Sequence, residues 1–159
     1  MRSIETPQFL SFNEMWIDKD STTIANRLTV TAAYSHDEGR YIASSVEVSN
    51  PMSPVKAADL RSLGLRKMMD RQLRGELKKA NPELLDRAAV KAFLNSKKGR
   101  PIAKKNHRKP TSQQIEDAEI VFRLARMTGA FTVISLAQSF GISYVDARRW
   151  ADRIRRRMV

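Results

Sequence analysis

Residues 132–158, TVISLAQSFGISYVDARRWADRIRRRM, carry two runs of helical periodicity separated by the short break Gly141-Ile142-Ser143. The first run, VISLAQSF, follows Thr132, and the second, YVDARRWADRIRRRM, follows Ser143. A hydroxyl side chain at such a place accepts a hydrogen bond from a first-turn backbone N–H, so both residues are expected to be N-caps. Gly141 offers the left-handed backbone that stops the first helix and turns the chain sharply. Projected at 100° per residue, Ala147, Trp150, Ala151, Ile154 and Met158 share one side of the last helix, while Val145, Arg148, Arg149, Asp152 and Arg156 share the other. One face is expected to pack and the other to meet solvent.

Leu136, Ala137, Gly141, Ile142, Ala147 and Trp150 place a small residue where two helices cross closely, a glycine at the turn, and apolar residues around it. Over residues 132–157 this pattern resembles the helix-turn-helix of bacterial and phage DNA-binding proteins. The resemblance implies that the last helix enters the major groove with its first turns nearest the base edges, which makes Tyr144, Val145, Arg148 and Arg149 the expected base readers. Thr132 and Ser143, at helix N-termini, and Arg153 and Arg156, further along the last helix, are then the expected phosphate contacts. The plainer alternative for the same residues is a helical hairpin with a solvated arginine face.

Upstream, Ile115, Ala118, Val121, Phe122, Leu124 and Ala125 form an apolar stripe that ends at Gly129, the pattern of a supporting helix beginning after Thr111. Before it lies NSKKGRPIAKKNHRKPT, residues 95–111, with seven basic residues, two prolines and a glycine, which is linker composition. Its KKGRP resembles the core of an AT-hook, whose Gly-Arg-Pro lies in a narrow minor groove. Ile102 and Ala103, however, stand where that family carries further basic residues, which favours a general electrostatic tether. On either reading Lys97, Lys98, Arg100, Lys104, Lys105, Arg108 and Lys109 are expected to add salt-sensitive affinity for phosphate.

The remaining 94 residues read as a small unit of strands and helices. Leu28, Val30, Ala32 and Tyr34 alternate with polar neighbours, as do Ile42, Ser44, Val46 and Val48 after the turn SHDEG, so residues 27–48 form an expected hairpin with Gly39 at its tip. Apolar residues from Val55 to Leu77 follow at helical spacing, with Gly64 as a divider. A second helix is expected from Asn81 as N-cap and Pro82 as first residue, carrying Leu84, Leu85, Ala88, Val90 and Leu94. The expected class is therefore α+β: an interaction or oligomerisation unit over 1–94, a basic linker over 95–111, and an all-α DNA-binding unit over 112–159.

The charge distribution favours a polyanionic partner. The net charge is −3 over residues 1–50, +5 over 51–94, +7 over 95–111 and +3 over 112–159, which gives +12 for the 159 residues. Such asymmetry suits nucleic acid; an anionic membrane surface would call for large apolar residues opposite the lysines, and no stretch of eighteen apolar residues suggests a span. MRSIETPQFL lacks the basic and apolar regions of a signal peptide, and cysteine is absent, so a reducing cytoplasm is expected. His36 and His107 stand apart from any ligand set at metal spacing, no phosphate-binding glycine loop occurs, and neither cofactor nor catalytic activity is expected. Together these features lead to a sequence-specific binder of double-stranded DNA, a transcriptional regulator of bacterial or phage origin working as a homodimer or another homo-oligomer. A likeness to small helix-turn-helix proteins of actinobacteria and their phages points to the same setting. A DNA-packaging role such as a terminase small subunit, a recombination accessory role, and RNA binding are the alternatives, the last disfavoured by an aromatic content of 7%.

Overall fold

Alternation of apolar and polar residues builds the first third of the protein into a three-stranded antiparallel sheet in the order β1 (Phe9–Trp16), β2 (Asn26–Ser35), β3 (Arg40–Ser49). This computed structural model describes residues 4–16, 26–51, 54–55, 65–95, 102–104 and 109–158. Leu28, Val30 and Ala32 of β2 lie on the inner face and are fully buried. The turn between β2 and β3 closes through Gly39 N–H on Ser35 O at 2.8 Å, with Gly39 at φ +61°, as its glycine implies.

Two features of the sheet differ from the sequence reading. β1 is a third strand, and its Leu10 and Phe12 are buried beneath the sheet while Phe9 points outward. In β3, Thr31 pairs with Ser45 but the next residue, Ala32, pairs with Ala43, so Ser44 is an inserted residue, and its hydroxyl donates to Thr31 O at 3.1 Å. The bulge reverses the alternation. Ile42 opposite Ala33 therefore lies on the outer face, whereas Val46 and Val48, opposite Val30 and Leu28, lie on the inner one.

Five α-helices follow among the described residues: α1 (Leu65–Ala80), α2 (Ala88–Leu94), α3 (Ser112–Met127), α4 (Thr132–Phe140) and α5 (Tyr144–Met158), so the protein is of mixed α+β class. The helix expected to begin near Val55 is seen from Leu65, Val55 itself lies in irregular chain, and the expected divider Gly64 falls outside the described residues. The helix expected from Asn81 is instead a 3₁₀ turn, Pro82–Asp86, leading into α2. Asn81 does not cap it. Its side chain is fully buried, accepts from Glu5 N–H at 2.7 Å, and donates to Glu5 O at 3.0 Å and Leu77 O at 2.9 Å. It thereby fastens the segment before β1 to the end of α1.

One apolar core joins the sheet to all five helices, from Leu10, Ala32 and Tyr41 through Leu73, Leu77, Val90 and Phe93 to Val121, Leu124, Leu136 and Ile154. A smaller cluster of Phe12, Leu28 and Val30 sits under Leu65, Met68 and Met69 of α1. Contacts also cross residues 95–111: α2 packs on α3 and α4, Arg87 pairs with Asp117, and Ile102 rests against the main core. No helix among the described residues is long and apolar enough to cross a membrane.

Candidate nucleic-acid interface

The C-terminal helices are defined by their ends. Thr111 Oγ1 accepts from Gln114 N–H at 3.2 Å while Gln114 Oε1 accepts from Thr111 N–H at 2.9 Å, a reciprocal capping box that starts α3. α3 and α4 stop alike, with Gly129 at φ +72° and Gly141 at φ +62°, and the following N–H reaches back: Ala130 to Ala125 O at 2.8 Å, Ile142 to Ala137 O at 3.0 Å. The expected stripe of α3, from Ile115 to Ala125, is buried throughout.

The turn 141–143 then sends the chain into α5. Ser143 Oγ accepts from Asp146 N–H at 3.1 Å and donates to the Asp146 carboxylate at 3.0 Å, so Ser143 caps α5 as its sequence position implies. Thr132 is not a cap. Phe131 occupies that place without a side-chain cap bond, its carbonyl accepting from Ser135 N–H at 2.9 Å, and Thr132 is the first helical residue.

Leu136, Ala137, Ile142, Ala147 and Trp150 are buried where α4, α5 and the turn meet, and the Phe140 ring meets the Trp150 indole edge-on. On α5, Ala147, Trp150, Ala151 and Ile154 face the core as projected, whereas Met158 is 38% exposed at the end of the helix. The opposite face carries Tyr144 and Val145, about half exposed at 48% and 50%, then Arg148, Arg149, Arg153 and Arg156, all exposed. α5 thus brings together the four expected base readers and two of the expected phosphate contacts.

The phosphate contacts expected elsewhere are distributed less evenly. Thr132 is half-buried at the start of α4, and Ser143 is buried with its hydroxyl engaged by Asp146. Lys104 and Lys109 are exposed, while Lys97, Lys98, Arg100, Lys105 and Arg108, with the KKGRP stretch and His107, lie outside the described residues.

Acidic neighbours sort the arginines of α5. Arg155 pairs with Asp152 at 2.7 Å and Arg157 with Glu119 of α3 at 3.1 Å, and Arg149 lies 3.7 Å from the buried Asp146. Among the described residues, Arg148, Arg153 and Arg156 have no acidic partner. Their guanidinium groups retain the donors that match paired acceptors on guanine or phosphate.

Comparison with protein-family models, with curated proteins and with solved structures finds no match. Among the described residues no cluster of three His, Cys, Asp or Glu side chains is arranged to hold a metal ion. Sequence reasoning missed two residues at this corner of the protein. Phe131 is 64% exposed, and the Arg66 guanidinium of α1 lies 4.5 Å above its ring while donating to Gly129 O at 2.5 and 3.1 Å. Neither had a signal to find it, since the contact joins residues more than sixty positions apart.

Proposed function

We propose that the protein is a sequence-specific double-stranded DNA-binding protein, a transcriptional regulator in the cytoplasm of a bacterial or phage-infected cell. In this reading α4, the turn 141–143 and α5 act as a helix-turn-helix. The observation that carries it is the division of α5 into a buried apolar face and an exposed face bearing Tyr144, Val145, Arg148 and Arg149 on its first two turns. A helix so divided presents a firm row of readers, because the buried face sets its orientation. Arginine offers paired donors to guanine O6 and N7, and valine or the tyrosine ring offers apolar contact to a thymine methyl.

Arg153, Arg156, Thr132 and the lysines and arginines of residues 97–109 then supply the phosphate contacts that hold the register. Two copies acting as a homodimer would set their reading helices about 34 Å apart on a palindromic site. No cofactor enters this mechanism, which consists of binding alone.

Fluorescence anisotropy on labelled duplex DNA, duplex RNA and single-stranded DNA tests the reading. Tighter binding to duplex DNA than to the other two supports it. Equal affinity for all three, or preference for RNA, overturns it, because the major groove of duplex RNA is too deep and narrow for a helix to read.

A further inference from the structure

α5 carries two acids. Asp152 is partly exposed, but Asp146 is buried, at 7% exposure. A carboxylate is costly to bury unless it is paired and hydrogen-bonded. Asp146 meets that condition by facing two ways. Its Oδ2 accepts from the Ser143 hydroxyl at 3.0 Å, which ties it to the turn 141–143, and its Oδ1 lies 3.7 Å from Nη1 of Arg149, one turn further along the helix.

Arg148 and Arg149 are neighbours in sequence and both exposed, yet they are not equivalent. Among the described residues Arg148 has no acidic partner, whereas the Arg149 side chain, 71% exposed, has a buried carboxylate beside its guanidinium. An exposed arginine loses rotamer freedom when it binds, and a fixed anion removes part of that freedom beforehand. A guanidinium has five N–H donors, so pairing with one acid leaves donors for a base edge. Capping alone asks for less than a buried acid. Ser143 Oγ already receives the Asp146 N–H at 3.1 Å, which needs no particular side chain at position 146.

We infer that Asp146 is a positioning residue for base readout: it holds Arg149 in the orientation that pairs with guanine O6 and N7, and so sets the preference for guanine at one position of the site. This inference rests on the DNA-binding reading above. Because Asp146 is itself fastened by Ser143, the direction it imposes on Arg149 is set by the turn between α4 and α5.

The test is competition binding of the full chain to its preferred duplex, to duplexes with each guanine replaced, and to a random duplex. The guanine read by Arg149 is the one whose replacement no longer matters to Arg149→Ala. Asp146→Asn keeps the size of the side chain and an acceptor for the Ser143 hydroxyl, and Asp146→Ser is a second variant; thermal unfolding shows which are folded. Ser143→Ala removes the cap and keeps the acid. The inference predicts that Asp146→Asn loses about tenfold of the preference for that guanine, with no further loss when combined with Arg149→Ala and an additive loss with Arg148→Ala. Its affinity for the random duplex should hold or rise, since a negative charge is gone. Ser143→Ala should melt earlier and keep the preference. Preference retained in the Asp146 variants, lost equally in Ser143→Ala, or unaffected by Arg149→Ala at every guanine overturns the inference and leaves the DNA-binding reading intact. A wild-type chain without preference among duplexes overturns both.

Discussion

The ring of Phe140 at the end of α4 meets the indole of Trp150 on α5 with centroids 5.2 Å apart and planes at 69°. This edge-to-face contact spans the turn 141–143 and braces the two helices against each other, which fixes the direction in which α5 presents Arg148 and Arg149.

Trp150→Ala should cost about 3 to 5 kcal/mol, because it empties a buried site that no neighbouring chain can refill. Trp150→Phe, which keeps an aromatic ring beside Phe140, should cost less. Urea denaturation measures both; a loss below about 1 kcal/mol for the alanine variant would show that the two helices are held by other contacts.

Gly141→Ala isolates the backbone requirement of the turn. An added Cβ would meet nothing within 4 Å, so the cost arises from φ +62° alone, and should be about 1 to 2 kcal/mol. Gly141→Asn should cost less, since asparagine tolerates the left-handed region better. Equal losses for the two variants would contradict this account of the turn.

Asn81→Ala should destabilise the fold by about 2 to 4 kcal/mol, since it leaves the Glu5 N–H and the Glu5 carbonyl without their partner and removes one of the two donors to the Leu77 carbonyl, which keeps the backbone N–H of residue 81. Hydrogen exchange should quicken first in the segment preceding β1. Unchanged protection there would mean that this segment is held by the sheet alone.

Alkaline stability should depend on Tyr41, whose hydroxyl donates to Pro7 O at 2.8 Å. Burial, and secondarily the neighbouring Tyr34, pushes its phenol up to about 12 from 10.0. The unfolded chain therefore releases this proton first as pH rises, so the folded state loses stability between about pH 10 and 12, by about 2 to 3 kcal/mol in all. In Tyr41→Phe this part of the alkaline loss should vanish, while stability near neutrality falls by about 1 kcal/mol for the lost hydrogen bond. Parallel pH profiles for the two proteins would contradict the assignment.

The parts of this fold that were legible in the sequence are those fixed by local periodicity. The buried stripe of α3, the two faces of α5, the glycine at 141 and the Ser143 cap all follow from residues within a few positions of one another. β1 escaped notice because exposed Phe9 adjoins buried Leu10 and stands out of phase with Leu10 and Phe12, which blurs the alternation. Asn81 was misread for a different reason: its residue type favours an N-cap, but its main partner lies 76 residues away, beyond any local pattern. The same distance effect hid Arg66 beside Phe131. Met158 was placed on the packed face by projection, yet the last turn of α5 leaves it partly open to solvent.

The central claim, that α5 reads sequence, is tested most directly by selecting bound duplexes from a random pool at about 150 mM salt, where phosphate attraction alone gives weak binding. The wild-type chain should enrich a defined motif, with two half-sites if a homodimer binds. Arg148→Ala/Arg149→Ala should lose that enrichment while retaining weak affinity for duplexes in general. A wild-type pool that stays random, or an enriched motif that survives loss of both arginines, would contradict the account.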